Sequence, residues 1–148
     1  VSIDKIKKLR EETGVSLQEC KRALLDSGGN LEKAKEFLKI RGKELAAKKS
    51  QRETGQGIIA SYIHPNKKIG VLLDLRCETD FVSRSEDFGK LAHELCLQIA
   101  AMDPENEDSF LNQAWIRDIT KIIKDLIEEY ISKIGENIKV KNFTRYEI

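Results

Sequence analysis

The chain has 148 residues, enough for one domain or for a small domain beside a medium one. A composition of 40% hydrophobic and 34% charged residues excludes a disordered chain and fits a protein with a real core. The net charge of +1 excludes a whole-chain field of the kind that draws in nucleic acid or a membrane surface. No apolar run approaches membrane-spanning length and no secretory pattern is visible, so a cytoplasmic protein without membrane contact is expected. The chain starts at Val1 rather than Met, and a trimmed N-terminus is the expectation.

Ile3, Ile6 and Leu9 predict a short amphipathic helix, with Thr13-Gly14 as its stop. Ser16-Leu17-Gln18-Glu19 is a capping-box sequence that starts a second helix with Leu17, Cys20 and Leu24 on one face. Gly28-Gly29 ends it, and Asn30 caps a third helix whose apolar face is Leu31, Ala34, Phe37 and Leu38. Three helices with such short turns read as a small bundle of limited stability on its own.

From Lys39 to Arg52 the chain carries Lys39, Arg41, Lys43, Lys48, Lys49 and Arg52 against Glu44 alone. Such a stretch can contact phosphates, but it has no interleaved aromatics on which single-stranded bases would stack. It is expected to be a solvated helical extension and linker. Polar Ser50–Gly57, with two glycines, marks a boundary, which divides the chain into residues 1–53 and 54–148.

Two apolar runs, Ile58–Ile63 and Ile69–Cys77, flank a Pro-Asn turn and predict a β-hairpin. In the second run Ile69, Val71, Leu73, Leu75 and Cys77 recur at period two, so they share a buried sheet face. The run ends at Glu78-Thr79-Asp80, and a helical period then begins with Phe88, Leu91, Ala92, Leu95 and Ile99. Ser85 is its predicted N-cap, with Glu86 and Asp87 at the positive helix end. Phe81 and Val82 fall in the tight junction between strand and helix. The local pattern leaves two readings of Phe81: an anchor displayed to a partner, or a cap on its own core.

Acidic Asp103–Asp108 stops that helix. Ile116, Ile119, Ile123, Leu126, Ile127, Tyr130 and Ile134 predict one long helix over residues 116–134, ended by Gly135. Ile138 and Val140 predict a closing strand. The fold class is therefore α+β: a three-helix module, a linker, and a small antiparallel sheet packed by helices.

Cys20, Cys77 and Cys96 are odd in number, widely spaced and at apolar positions, which predicts three buried, reduced thiols. His64 and His93 lack a second ligand at metal-binding spacing. No phosphate-binding glycine loop and no nucleophile elbow is present. No metal, cofactor or catalytic set is expected, and the chain reads as a binding or regulatory protein rather than an enzyme.

Three stretches carry a resemblance: Lys8–Gly14 followed by Glu19–Leu24, then Cys77-Glu78-Thr79-Asp80-Phe81-Val82, then Lys133-Ile134-Gly135-Glu136-Asn137-Ile138. Ala46-Ala47-Lys48-Lys49 before the linker fits as well. Together they resemble the elongation factor Ts family, guanine-nucleotide exchange factors for elongation factor Tu. The resemblance implies a ubiquitin-associated-like (UBA-like) N-terminal module and a core domain that binds the GTPase domain of elongation factor Tu. It implies that Phe81 enters an apolar gap beside the nucleotide site there and that Asp80 helps to seat the loop. It places Thr79 and Val82 in the same contact, and Arg10 and Lys21 of the helical module near that domain. Most family members carry a longer, mostly helical stretch between the counterparts of Met102 and Phe110. Here only Asp103–Ser109 joins them, either as a short natural form or through residues lost from the segment. The chain ends at Ile148 without a second core repeat or coiled-coil hairpin, like the compact type whose core pairs with a second copy, so a homodimer is implied. Two other readings stand beside this one: a UBA-type adaptor without exchange activity, and an RNA-binding accessory protein using Lys39–Arg52.

Overall fold

Short polar side chains set most helix starts in this chain. In the computed structural model, which describes residues 2–148, Ser2, Ser16, Asn30, Thr79, Ser85 and Asn106 each accept a hydrogen bond from a backbone N–H in the first turn that follows. The first three helices are α1 (Ile3–Thr13), α2 (Leu17–Asp26) and α3 (Leu31–Lys49). Gly14 closes α1 in the left-handed region at φ 71°.

The bundle's core is a single small cluster of Leu9, Cys20, Ala23, Leu24, Ala34 and Leu38. Ile3, Leu17 and Phe37, expected on the buried faces, are exposed. Three short helices enclose one central stripe only, and residues at its margins stay in water.

The end of α3 is not a solvated extension. It packs along α7 (Ile123–Ile134), with Gly42 against Ser132 and Ala46 buried in the second core. Lys43 Nζ donates to Asp125 at 2.8 Å and to Glu128 at 3.1 Å. The basic run therefore has one docked face, and its cations are partly neutralised within the chain.

The sheet is antiparallel, with order β1 (Gln56–Ile63), β2 (Ile69–Cys77), β5 (Ile138–Glu147). The predicted hairpin and closing strand are both present. Val71, Leu73, Leu75 and Cys77 line the inner face, as their period-two spacing requires, under α5 (Glu86–Met102). Arg145 of β5 donates twice to the Ala100 carbonyl, at 3.1 and 2.9 Å, and satisfies the C-terminal end of α5.

Two elements differ from the sequence reading. The acidic segment contains a one-and-a-half-turn helix, α6 (Glu107–Asn112), which buries Phe110 against Phe143 at 5.4 Å between ring centroids. The long helix expected from residue 116 begins only at Ile123. Residues before it form a hairpin of β3 (Ala114–Trp115) and β4 (Asp118–Ile122). The cause is a buried amide on α5. Gln98 donates to Gln113 Oε1 and to the Ala114 carbonyl, and accepts from the Ile116 N–H at 2.9 Å. Those backbone groups are thereby removed from any helical ladder. Asp125 accepts from the Ile122 N–H and starts α7 there. Ile119, expected on a buried helix face, is 80% exposed.

Candidate functional site

β2 ends on Cys77, which is fully buried. Burial, reinforced by the nearby Glu136 carboxylate, pushes its thiol up to about 11, so it stays neutral and donates to the Thr79 carbonyl at 3.2 Å. The chain then turns through Glu78 and Thr79 into α4 (Asp80–Ser83), a single helical turn. Thr79 Oγ1 accepts from the Val82 N–H at 3.3 Å and donates to Glu136 Oε2 at 2.7 Å. The Ser83 hydroxyl donates to the Asp80 carbonyl. Ser85 donates to the Val82 carbonyl and accepts from the Phe88 N–H, which starts α5. One short turn is thus held between two caps.

Consecutive residues of a helix point about 100° apart. Val82 packs against the core of the sheet domain, and Phe81 is left 78% exposed. The core-capping reading of Phe81 does not match this geometry. Arg84, one turn on, brings its guanidinium to 5.9 Å from the Phe81 ring centroid and to 3.3 Å from Asp80. The site is therefore an exposed ring with a cation at its side and a carboxylate paired to that cation.

Of the four residues of this turn, Thr79, Asp80 and Phe81 are exposed and Val82 is half-buried against the core. Arg10 and Lys21 are exposed on α1 and α2, and neither has a carboxylate within ion-pair distance among the described residues. A chain of contacts places the end of α1 near the same end of the core. Gly14, whose N–H donates to the Arg10 carbonyl, abuts the Lys133 side chain, and Lys133 pairs with Asp87 on the first turn of α5 at 3.4 Å. No comparable contact links Lys21 to the Phe81 turn among the described residues. Arg84 was not singled out from the sequence. Its signal was its spacing, three residues after Phe81 and four after Asp80, which share a helix face only once a helical turn is known to form there.

Two sizeable clefts lie elsewhere. One of about 480 Å³ runs beside the seam of α3 and α7, with the end of α1 at its rim, and another of about 700 Å³ is lined by His93, Trp115 and Tyr130. Neither includes a residue of the Phe81 turn. The feature at that turn is a projection, suited to enter a partner's pocket rather than to receive a small molecule. Among the described residues no group of three or more His, Cys, Asp or Glu is placed to hold a metal ion, and no helix is long and apolar enough to cross a membrane.

Residues 78–148 match the family model described as Elongation factor TS. Proteins named Elongation factor Ts from Thermotoga petrophila and Thermotoga maritima are 41% and 42% identical over 191 aligned positions. Each alignment covers all of this chain and 96% of the relative. The Coprothermobacter proteolyticus protein of that name is 39% identical over 193 positions, covering all of this chain and 98% of its own length. The aligned positions outnumber the 148 residues here, so these relatives carry residues that this chain lacks.

Proposed function

The chain belongs to the elongation factor Ts family, and from that premise we propose that it is a guanine-nucleotide exchange factor, which binds elongation factor Tu in its GDP form and promotes GDP release. The observation that carries the reading is the exposure of Phe81 on a turn capped at both ends. An aromatic side chain held 78% in water adds little to the stability of its own fold. It becomes favourable when a partner's apolar pocket removes it from water.

An exchange factor carries out no bond chemistry, so no catalytic group or cofactor is called for. It binds the nucleotide-free partner more tightly than the nucleotide-bound one, and by linkage bound GDP weakens its grip by the same factor. Burying a Phe side chain is worth roughly 1.5–3 kcal/mol, which matches a typical coupling free energy of about 1–3 kcal/mol. Phe81 acts as the wedge, Thr79, Asp80 and Val82 seat it, and Arg84, paired with Asp80, adds a charge beside the ring. Arg10 and Lys21 extend the contact through the helical module. The partner is in the cytoplasm, and so is this protein.

The same reading includes a homodimer formed through the core domain. Ile59, Ile63, Leu72 and Tyr146 lie on the sheet face opposite α5 and are each at least half exposed. An apolar sheet face of this kind is covered when a second sheet stacks on it.

The direct test is release of labelled GDP from elongation factor Tu with and without this protein. A concentration-dependent rise in the release rate is expected. An unchanged rate at protein concentrations well above that of elongation factor Tu removes the exchange reading.

A further inference from the structure

We propose that Glu136 is a positioning residue for Phe81: its carboxylate fixes the turn that presents the ring, so that the ring meets its partner already oriented. The proposal deepens the exchange reading and rests on it.

Gly135 ends α7 in the left-handed region at φ 88° and turns the chain back toward the end of β2. Glu136 Oε1 then accepts from the Glu78 N–H at 3.1 Å and the Thr79 N–H at 3.0 Å, while Oε2 accepts from the Thr79 hydroxyl at 2.7 Å. The exchange is reciprocal, since Glu78 Oε2 accepts from the Asn137 N–H at 2.6 Å. Asn137 is itself only 2% exposed, and its side chain donates to the Arg52 carbonyl at 2.9 Å. The base on which Glu136 stands is therefore tied by hydrogen bonds to the end of β2 and to the segment after α3.

At Thr79 these bonds are not needed to satisfy polar groups cut off from water. Thr79 is exposed, and water can satisfy its N–H and hydroxyl. Their effect is on orientation. A single helical turn has no stability of its own. The Thr79 hydroxyl caps α4 by accepting from Val82, and donating to Glu136 fixes the rotation of that hydroxyl, which leaves a lone pair directed at the Val82 N–H. Without the carboxylate the cap is free to rotate, and the turn must be ordered at the moment of binding, which weakens binding.

The experiment is a double-mutant cycle in the full chain, read as stimulated GDP release from elongation factor Tu, with melting temperature and amide exchange measured on each variant. Glu136→Ala is expected to slow release about tenfold, the effect of losing charge-assisted hydrogen bonds. It is expected to speed amide exchange at Thr79 and Val82 while leaving α5 protected. Glu136→Gln keeps one acceptor for the two N–H groups but presents an amide N–H where the Thr79 hydroxyl needs an acceptor, so it is expected to recover only part of the rate. Adding Glu136→Ala to Phe81→Ala is expected to cost nothing further, because no ring remains to be oriented. If Glu136→Ala does not fold, Glu136→Asp, which keeps the charge and shortens the reach, takes its place in the cycle. Losses that multiply in the double variant overturn the proposal, as does normal release by the Glu136 variant beside slowed release by Phe81→Ala. Normal stimulated release by Phe81→Ala removes the ring from the contact and overturns this proposal alone, whereas no stimulation by the unaltered chain overturns the exchange reading itself.

Discussion

Replacing Phe81 by Ala separates a displayed side chain from a core one, because the two make opposite demands on stability. The ring is 78% exposed, so about a fifth of the roughly 1.5–3 kcal/mol available from burying a Phe acts within the fold. That is about 0.3–0.6 kcal/mol. Even with the loss of an exposed contact to Arg84, about 0.5–1 kcal/mol, the melting temperature should fall by no more than about 6 °C. The remaining four-fifths, about 1.2–2.4 kcal/mol, is available only to a partner. Its loss corresponds to a fall of about 8- to 60-fold in the efficiency of GDP release from elongation factor Tu. The assay is stopped-flow release of fluorescent GDP at several concentrations of the variant, beside a thermal melt. A drop of more than about 10 °C with proportionate loss of activity makes Phe81 a structural residue. Normal release at an unchanged melting temperature removes it from the contact altogether.

Phe110→Ala, in contrast, opens a cavity behind α6 and should cost about 3–5 kcal/mol in urea unfolding, since the ring is fully buried beside Phe143. The seam between α3 and α7 should loosen in acid. Burial acts to raise the Asp125 pKa, but the hydrogen bonds from Lys43 and the Ile122 N–H prevail and hold it below the ordinary value of 3.8. Its stabilising contribution is therefore complete above the ordinary value and is lost as pH falls through the depressed one. Amide exchange at the end of α3 should rise over that range and should lose this pH dependence in Asp125→Asn. Burial pushes the Cys77 and Cys96 thiols up to about 11, so neither should react with iodoacetamide at pH 8 until the chain is unfolded by denaturant. Rapid labelling of either in the native protein contradicts the packing described.

Much of this protein is set by local pattern. The alternation over β2, the helical period of α5 and the caps at Ser16, Asn30 and Ser85 each depend on residues within a turn or two of one another. Backbone stereochemistry converts such spacing directly into strand, helix and turn. The junction at Phe81 was legible for the same reason, though its direction was not. Which way the ring points depends on α4 forming, on Val82 taking the inward position, and on the Thr79 cap.

The misread segments depend on partners far along the chain. Isoleucines at positions 116, 119 and 123 fit a helical period, and β-branched residues also favour a strand. Gln98, on another helix, decided between the two by capturing the Ile116 N–H. The docking of α3 on α7 pairs Lys43 with Asp125, and the Phe81 turn is held by Glu136. The chain by itself therefore determined the elements, the α+β class and the position of the aromatic junction. Tertiary structure alone decided the β3–β4 hairpin, the seam between module and core, and the outward display of Phe81. Hydrogen bonds and ion pairs between residues distant in sequence leave no period to be read, because they exist only once the chain has closed on itself.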